Sequence, residues 1–288
     1  MKRSPKPDWL RIKIPSGVEL FKLKKNLISR GLHTICQDAK CPNMSECWNK
    51  NHATFLILGN ICSRNCSFCS VQTGKCEEID KYEPEKISEM VNIMKLKYVV
   101  ITSVTRDDLD DGGSTHYKKI LNKLRNDFPE LKTEVLIPDF KGDLNSVETV
   151  LEGKPNVLNH NLETVRELYK AVNRKEGNYE ISLSVLKYAS SRGFITKSGI
   201  MVGLGETIEQ IKTLLNDLLS NEVDILTIGQ YLQPSQKNIE VKEYIPPETF
   251  LELKELGESM GFKAVESGPF VRSSYNASSL YSLAAGIL

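Results

Sequence analysis

The sequence has no long apolar run, no excess of either charge sign and no cysteine after position 76. A bilayer span needs about 18 or more uninterrupted apolar residues, and the longest apolar runs, such as 54–58 and 98–101, are far shorter. Thirty-eight Lys and Arg against 37 Asp and Glu give a formal charge of +1, which argues against a protein built to grip nucleic-acid phosphates. We therefore expect neither a membrane partner nor a nucleic-acid partner.

The amino-terminal stretch lacks the apolar core of a secretory signal. Residues 1–30 hold nine Lys or Arg and only two acids, Asp8 and Glu19, and no apolar segment precedes a small-residue cleavage site. We expect a cytoplasmic protein, with an organelle matrix as the alternative if a transit peptide has been removed.

Cysteine is concentrated in one part of the chain. All seven cysteines fall within 41 positions, between Cys36 and Cys76. Without a secretion signal, such a concentration favours metal or redox chemistry over disulfides, because the cytosol keeps thiols reduced. The length of 288 residues, of which 40% are hydrophobic, is enough for a substantial core.

From about Asn51 onward, short apolar runs alternate with longer stretches of helical period, which predicts an α/β fold with a parallel sheet. The six predicted strands cover 54–59, 98–103, 134–139, 157–161, 199–204 and 225–231. The predicted helices cover 84–97, 114–128, 144–152, 163–173 with 179–192, 206–221 and 247–260. We expect a partial six-stranded parallel β/α barrel, with an open doubly wound sheet as the alternative. Either fold places its active site at the carboxyl ends of the strands.

Three regions are predicted along the chain. Residues 1–50 form an amino-terminal extension with one amphipathic helix over 19–30, residues 51–261 form the barrel, and residues 262–288 form a carboxyl-terminal segment. Helix-boundary residues mark the barrel elements: Asp143 stands ahead of one helix, and Gly261 follows another.

The strongest site signal is the segment CSRNCSFC directly after the first predicted strand, which contains the first cysteine group, Cys62, Cys66 and Cys69. Three thiolates on one tight loop can hold three irons of a 4Fe-4S cluster. The fourth iron then has no protein ligand, so a small molecule can chelate it and receive an electron. The alternatives are a structural zinc site, usually marked by paired CxxC knuckles, and buried inert thiols.

The second cysteine group, Cys36, Cys41 and Cys47 in CQDAKCPNMSEC, lies upstream of the barrel. Its spacing is looser and is only suggestive by itself. Because this group lies close to the first in the sequence, it suggests a second iron–sulfur site whose fourth ligand comes from elsewhere in the chain. Cys76 belongs to neither group, and we expect it to be a free thiol.

These motifs resemble those of a known family. CSRNCSFC resembles the signature of the radical S-adenosylmethionine enzymes, and CQDAKCPNMSEC is similar to the second cysteine motif of the lipoyl synthase family. The likeness covers nearly the whole chain and continues at 102–113, 157–165, 198–207, 224–235 and 267–277. One departure is in QPSQKNIEV, where the family commonly has His and then Leu-Pro near Asn238 and Ile239.

The resemblance implies a sulfurtransferase that inserts two sulfur atoms at carbons 6 and 8 of a protein-bound octanoyl-lysine, giving lipoyl-lysine. Its implied cofactors are two 4Fe-4S clusters and S-adenosylmethionine. The C–H bonds are unactivated, so the radical chemistry that they need belongs to a cofactor. By resemblance, the first cysteine group holds the cluster that chelates and reductively cleaves S-adenosylmethionine. The second group holds an auxiliary cluster that donates sulfur, with Ser274 of the RSSY motif as its fourth ligand. A serine oxygen is a harder and less usual iron ligand than a thiolate.

The resemblance also implies contacts to S-adenosylmethionine at the strand ends. Thr102 and Ser103 would lie near the methionyl amino group, and Asn161 and Glu163 near the ribose and the methionyl portion. Arg174 is the candidate for the carboxylate, because a guanidinium matches a carboxylate in a bidentate way. For all of these positions a purely structural role is the alternative.

Two glycines and a histidine complete the candidates. Gly203 and Gly205 are expected to let the backbone approach the adenine. The run GLGE is a weak signal by itself, since a strand-to-helix turn uses Gly and an early Glu for structural reasons. His160 is expected to be a hydrogen-bonded core residue, and the run 106–108 to form an ion-paired loop or to lie at the barrel mouth.

The implied partners are octanoylated lipoyl carrier proteins, namely the glycine cleavage H protein and the acyltransferase subunits of 2-oxoacid dehydrogenases. An electron donor such as flavodoxin or ferredoxin and an iron–sulfur carrier for rebuilding the auxiliary cluster are also implied. Two other functions stay open at this point. Another sulfur-inserting or methylthio-transferring radical enzyme would share the first cysteine group but not both the second group and RSSY. A non-catalytic iron–sulfur carrier or zinc scaffold would hold a closed site that S-adenosylmethionine does not perturb.

Overall fold

A computed structural model describes residues 6–11, 18–38, 41–49, 52–174 and 179–287. Parts of the predicted amino-terminal extension, 1–5, 12–17, 39–40 and 50, lie outside these ranges. The predicted amino-terminal helix is present as α1, Val18–Ser29. Within the described ranges, no helix is both long enough and apolar enough to cross a bilayer.

The described strands form one eight-stranded sheet and one two-stranded ribbon. They are β1 His33–Thr34, β2 Thr54–Ile57, β3 Ile61–Cys62, β4 Gln72–Thr73, β5 Tyr98–Ser103, β6 Lys132–Leu136, β7 Val157–Asn159, β8 Ile195–Val202, β9 Ile225–Gln230 and β10 Ala264–Gly268. The ribbon pairs β3 with β4, and the large sheet has the order β1-β2-β5-β6-β7-β8-β9-β10. All neighbours in the large sheet are parallel except β1, which is antiparallel to β2.

The strand order decides between the two predicted architectures. A doubly wound sheet reverses its order at a switch point, whereas this sheet follows the chain from one edge to the other. Because β1 and β10 are edges, the barrel is partial. The predicted α/β class and partial parallel barrel are therefore confirmed.

The predicted count of six strands is too low. All six are present, as β2 and β5 to β9, but β1 and β10 extend the sheet at both edges. β1 has only two residues, and β10 reads AVESG, which has too few apolar residues to stand out as a strand. β10 nevertheless pairs in parallel with β9, from Ala264 against Ile225 to Gly268 against Gly229.

The helices cover the outside of the sheet. Beyond α1 they are α2 Ile35–Asp38, α3 Met44–Asn49, α4 Glu83–Met94, α5 Ser114–Asp127, α6 Leu144–Leu151, α7 Tyr179–Ser191, α8 Ile208–Ser220, α9 Pro247–Met260 and α10 Ala277–Ala284. Predicted boundary residues are confirmed at α6, where the Asp143 carboxylate accepts hydrogen bonds from the amides of Asn145 and Ser146. They are also confirmed at α9, where Gly261 is the C-cap with φ of 114°.

One predicted helix is wrong. Residues 163–173 contain only a short 3-10 helix, Arg166–Leu168. Glu163 has φ of 70°, and its amide and carbonyl pair with Gly199 and Met201 of β8 at 3.0 and 2.7 Å. The chain after β7 therefore resumes strand pairing beyond a local bulge, and this keeps it at the rim of the barrel.

The two faces of the sheet have different character. In β5, Val99 and Ile101 pack among the helices and are fully buried, whereas Val100 and Thr102 face the barrel interior. Two large apolar clusters lie under the helices, one around α4, α5 and α6 and one around α7, α8 and α9. Apolar burial between the sheet and these helices is thus the main stabilising contact of the fold.

The barrel interior contains a buried ion pair. Lys197 of β8 and Glu134 of β6 have no exposed surface, and Lys197 Nζ lies 3.0 Å from Glu134 Oε1. The same carboxylate accepts hydrogen bonds from Asn159 Nδ2 at 3.0 Å and from the Tyr98 hydroxyl at 2.8 Å. These contacts join β5, β6, β7 and β8 through side chains inside the barrel.

Candidate active site

The first cysteine group begins with Cys62 at the end of β3, and Cys66 and Cys69 lie on the loop that follows, at the carboxyl end of the barrel. The amides of Arg64 and Thr105 each donate to Cys62 Sγ at 3.4 Å, and the amide of Val71 donates to Cys69 Sγ at 3.4 Å. Amide hydrogen bonds to sulfur stabilise thiolates and tune iron–sulfur clusters. The backbone around these thiols is therefore suited to cluster ligands.

An arginine inside the cysteine loop fixes its position. Arg64 binds Asp107 through Nε and Nη2 at 2.7 and 2.9 Å, and its Nη1 binds Asp139 at 2.8 Å. Burial alone would raise the pKa of Asp139, but the hydrogen bond and charge of Arg64 outweigh burial and hold that pKa below its usual value. Asp107 follows β5 and Asp139 follows β6, so one side chain ties the loop to two strand ends. The run 106–108 is ion-paired as predicted, since Arg106 Nη2 lies 2.8 Å from Asp108.

A second anchor comes from the residue at which the sequence departs from the family pattern. Asn238 Nδ2 donates to the carbonyls of Ser67 and Cys69 at 3.2 and 2.7 Å. The amide of Ile239 also donates to Ser67 O at 3.0 Å. The residues at this departure therefore contact the cysteine loop directly.

The first cysteine group and five candidate binding residues line one cavity of about 340 Å³, which we call the strand-end cavity. The candidates in its wall are Thr102, Ser103, Asn161, Glu163 and Arg174. They come from the ends of β5 and β7 and from the chain that follows β7. The structure thus brings together eight of the residues singled out in the sequence.

Ser103 and Thr102 differ in their hydrogen bonding. Thr102 Oγ1 donates to Leu136 O at 3.0 Å. Among the described residues, Ser103 Oγ is one of the few buried side-chain atoms that lack a hydrogen-bond partner. A buried hydroxyl without a partner is costly, and such a group in a cavity wall fits a ligand that supplies the missing bond.

Asn161, Glu163 and Arg174 form one bonded set. Arg174 Nη1 donates to Asn161 O at 3.2 Å, and Asn161 Nδ2 donates to Glu163 Oε1 at 3.3 Å. Burial raises the pKa of Glu163, although the charge of Arg174 opposes the shift. The guanidinium also lies over the ring of Tyr169, 5.2 Å from its centroid.

One of the two predicted adenine-side glycines, Gly203, has a structural explanation. A Cβ at Gly203 would lie 2.2 Å from Gln230 Nε2 and 2.3 Å from Glu243 O, so only glycine fits there. The carboxylate of Glu206 accepts hydrogen bonds from the amides of Gly203 and Leu204 and so holds the turn before α8. In the described structure, Gly203 and Gly205 are not among the residues that line the strand-end cavity.

His160 is a hydrogen-bonded core residue, as expected. Its Nδ1 lies 2.8 Å from Ile137 O, and its Nε2 lies 2.9 Å from Ser182 Oγ. Burial lowers the pKa of His160 to about 4. The ring is therefore neutral near pH 7, with Nδ1 donating to the carbonyl.

The second cysteine group lies where the amino-terminal extension meets the carboxyl-terminal segment. Cys36, Cys41 and Cys47 surround one small cavity with Arg272 and Ser274. Burial raises the pKa of Cys36 to about 11, and burial also raises the pKa of Cys41.

Two hydrogen bonds hold these two parts of the chain together. Asn43 Nδ2 donates to Phe270 O, and the Tyr275 hydroxyl donates to Glu46 Oε1 at 3.2 Å. Cys76 is remote from this arrangement, and its thiol donates to Ile61 O at 3.2 Å. It does not line the cavities around either cysteine group in the described structure.

A larger cavity of about 470 Å³, which we call the shared cavity, connects the two cysteine groups through the barrel interior. Cys36, Cys41 and Ser274 line one part of it, and Cys69 and Glu163 line another. Apolar side chains, among them those of β5, β8 and the chain after β9, form much of the remaining wall. A substrate in this cavity would contact both cysteine groups at once.

The residues present fit the groups that the sequence implied. Each cysteine group supplies three thiols, which are the standard ligands of a 4Fe-4S cluster. Ser274 adds an oxygen donor beside the second group, and the unpartnered Ser103 hydroxyl lies beside the first.

Comparisons with known proteins decide the family. A profile described as the Radical SAM superfamily matches residues 56–218, and one described as the N-terminal domain of lipoyl synthase matches residues 1–41. A lipoyl synthase of Caldicellulosiruptor saccharolyticus is 52% identical over 279 residues, which cover 96% of this chain and 98% of the relative. A mitochondrial lipoyl synthase of Nematostella vectensis is 49% identical over 96% of this chain and 94% of its own length.

The chain belongs to the lipoyl synthase family. It is therefore a radical S-adenosylmethionine sulfurtransferase, and the predicted enzyme class and cofactors, 4Fe-4S clusters and S-adenosylmethionine, are confirmed. These full-length matches exclude both alternative functions, namely another radical enzyme and a non-catalytic iron–sulfur carrier or zinc scaffold.

Solved structures of other radical enzymes share the fold. Methylornithine synthase superimposes with a TM-score of 0.57 at 14% identity, over 91% of this chain and 87% of that one. The hydrogenase maturase HydG superimposes with a TM-score of 0.61 at 12% identity, over 92% of this chain and 69% of that one. Lipoyl synthases thus share their barrel with radical enzymes of different chemistry.

Sequence reasoning missed several residues of the site. Arg64, Asp139 and Ser273 are in the cavity walls but were not predicted. The position of Arg64 between two motif cysteines was the available signal. Asp139 is the last residue of the predicted strand 134–139, and Ser273 belongs to the RSSY motif, but only the fold brings their side chains to the site.

Proposed function

We propose that Cys62, Cys66 and Cys69 hold the cluster that binds S-adenosylmethionine, and that the second cysteine group with Ser274 holds the sulfur-donating auxiliary cluster. The observation that carries this assignment is the shared cavity, whose wall includes residues of both groups. When bound, the clusters and S-adenosylmethionine supply a carbon radical and sulfide for insertion at carbons 6 and 8 of an octanoyl-lysine. The protein supplies ligands, orientation and a cavity between the two sites.

The strand-end residues orient S-adenosylmethionine in this proposal. Ser103 and Thr102 receive the methionyl amino group, and Arg174 faces the carboxylate. Asn161 and Glu163 contact the ribose and the methionyl portion. Support comes from their common place in one cavity wall and from the Ser103 hydroxyl, which has no partner of its own. Gly203 and Gly205 act indirectly here, by allowing the turn that supports the adenine side.

The partners follow from the family. The substrate is an octanoylated lipoyl carrier protein, and we propose the glycine cleavage H protein and the acyltransferase subunits of 2-oxoacid dehydrogenases. A flavodoxin or ferredoxin would supply electrons, and an iron–sulfur carrier would rebuild the auxiliary cluster. We place the enzyme in the cytoplasm. We also propose a division of the chain into three regions. Residues 1–50 are the extension that carries the auxiliary-cluster cysteines, residues 51–261 are the barrel that binds S-adenosylmethionine, and residues 262–288 are the segment that carries the RSSY motif.

The test is anaerobic reconstitution of the wild type and of two cysteine variants. Iron and sulfide content per chain are measured, and mass spectrometry measures the mass of an octanoyl-lysine peptide after reaction. The wild type should add two sulfurs to the peptide. Cys36→Ala should lose about half of the iron and all sulfur insertion but still cleave S-adenosylmethionine. Cys76→Ala is the matched control and should behave as the wild type. Equal loss of both activities in Cys36→Ala would contradict separate roles for the two groups.

A further inference from the structure

Ser273 and Ser274 are neighbours in the chain but contact different parts of the site. Ser274 lines the small cavity of the second cysteine group. Ser273 Oγ instead donates to Asn161 Oδ1 at 2.9 Å, across 112 positions of sequence. One turn of the carboxyl-terminal segment thus contacts both the auxiliary site and the radical site.

The Ser273 contact leads into the residues assigned to S-adenosylmethionine. Asn161 accepts from Ser273 through its side-chain oxygen and donates through Nδ2 to Glu163 Oε1 at 3.3 Å. Its backbone carbonyl accepts from Arg174 Nη1 at 3.2 Å. A side-chain amide bonded at both ends has one preferred orientation. Seating of Ser273 therefore selects the orientation in which Asn161 donates to Glu163.

The fold leaves space for this contact at a specific glycine. A Cβ at Gly199 would lie 2.8 Å from Asn161 Oδ1, 3.0 Å from Ser273 Oγ and 2.7 Å from Thr227 Oγ1. These oxygens converge over the backbone of β8, which must carry no side chain there. The bond between Ser273 and Asn161 is thus part of the packing of the barrel interior.

We propose that Ser273 is a positioning residue that couples the two sites. While the RSSY segment is seated, that is, while Ser274 lies at the second cysteine group and Ser273 bonds Asn161, Ser273 holds Asn161 and Glu163 in the orientation that binds S-adenosylmethionine. When Ser274 and its segment leave the auxiliary site, this support is lost and affinity for S-adenosylmethionine falls. Coupling between two ligand sites is reciprocal, so binding of S-adenosylmethionine also stabilises the seated segment. The proposal rests on the proposed function for the identity of both sites.

The test compares Ser273→Ala with wild type as anaerobically reconstituted full-length enzyme. Equilibrium dialysis with labelled S-adenosylmethionine should show a Kd about fivefold higher, the change expected for loss of one neutral hydrogen bond. Hydrogen exchange in 271–276 should be slowed by S-adenosylmethionine in the wild type and not in the variant. Iron and sulfide content should be unchanged, because Ser273 is not a proposed ligand.

Two further variants separate the hydroxyl from other effects. Ser282→Ala removes a hydroxyl from α10 that bonds only locally to Ser278 O, and it should bind as the wild type. Ser273→Thr keeps the hydroxyl and should stay within twofold of the wild-type Kd. Equal Kd values for Ser273→Ala and wild type would overturn the coupling. A Kd for Ser273→Thr that rises as much as that of Ser273→Ala would overturn it as well. A wild type that binds no S-adenosylmethionine would instead overturn the proposed function.

Discussion

His160 shows how a site residue can be structural. Both ring nitrogens are bonded inside the fold, and burial holds its pKa at about 4, below the usual 6.5. The folded state therefore binds a proton on this ring more weakly than the unfolded chain does. Stability from the neutral ring is fully present above pH 6.5 and is lost as pH falls through that value toward 4.

We expect the variant His160→Asn to change the pH dependence of stability. Between pH 7.5 and pH 5.5, the wild type should lose about 1 kcal/mol of unfolding free energy through this one group. The variant should lack that contribution, so its curve should be flatter by the same amount. Anaerobic urea titrations at four pH values measure the difference. Parallel curves would show that the ring is not held neutral.

The unpartnered hydroxyl of Ser103 separates binding from folding. In Ser103→Ala the free energy of unfolding should stay the same or rise by up to about 1 kcal/mol, since a buried group without a hydrogen bond is removed. The Kd for S-adenosylmethionine should rise about fivefold, because one ligand hydrogen bond is lost. Denaturation and equilibrium dialysis measure the two effects. Loss of stability with unchanged affinity would assign Ser103 to the fold.

Residues were predicted where a motif carries its own chemistry. The six cysteines of the two groups and Ser274 were predicted because thiol spacing and a family motif name them, and the structure places them in the walls of two cavities. Arg64 with Asp139 was not found, because the two residues lie 75 positions apart and only parallel strand ends bring them together. Partner choice between distant polar residues depends on register, which sequence patterns do not encode.

At the scale of elements, strands with continuous apolar runs were predicted and the short or polar strands were missed. β5, with five of its six residues buried, reads as a strand by composition alone. β10 depends on its neighbour, since its Glu, Ser and Gly would fit a loop equally well. The false helix at 163–173 has the same cause, because pairing of Glu163 with β8 overrides its local preference.

The ion pair inside the barrel links four strands, and its loss should lower the free energy of unfolding strongly. Lys197→Met leaves the carboxylate of Glu134 buried without its cation, so we expect a loss of about 3–5 kcal/mol. Lys212→Met is the matched control on α8, where the exposed pair with Glu209 should contribute less than about 1 kcal/mol. Anaerobic chemical denaturation measures both variants. A loss in Lys197→Met no larger than in the control would contradict the network.

At the scale of the whole molecule, the chain places its two ends against each other beside one cavity. The extension carries the second cysteine group, and the carboxyl-terminal segment carries Ser274. The resemblance predicted that Ser274 lies beside the second cysteine group, but the sequence did not predict the hydrogen bonds that join the two regions. Asn43 and Phe270, which join them, lie 227 positions apart.

Removing this link should loosen both regions together. In Asn43→Ala the carbonyl of Phe270 loses its donor, and we expect a loss of about 1–3 kcal/mol. Hydrogen exchange should rise in both 41–49 and 270–276 and stay constant in α4. Asn126→Ala, on the exposed surface of α5, is the control and should change neither. Faster exchange confined to 41–49 would show that the two regions are independent.

The hydrogen bonds of Arg64 to Asp107 and Asp139 lower the entropy cost of ordering the cysteine loop. The guanidinium anchors the cysteine loop to two strand ends, so side chains of the protein itself restrict the conformations that the loop can adopt. Binding of a cluster by three thiols on this loop would therefore cost less conformational entropy than binding by three thiols on an unanchored loop.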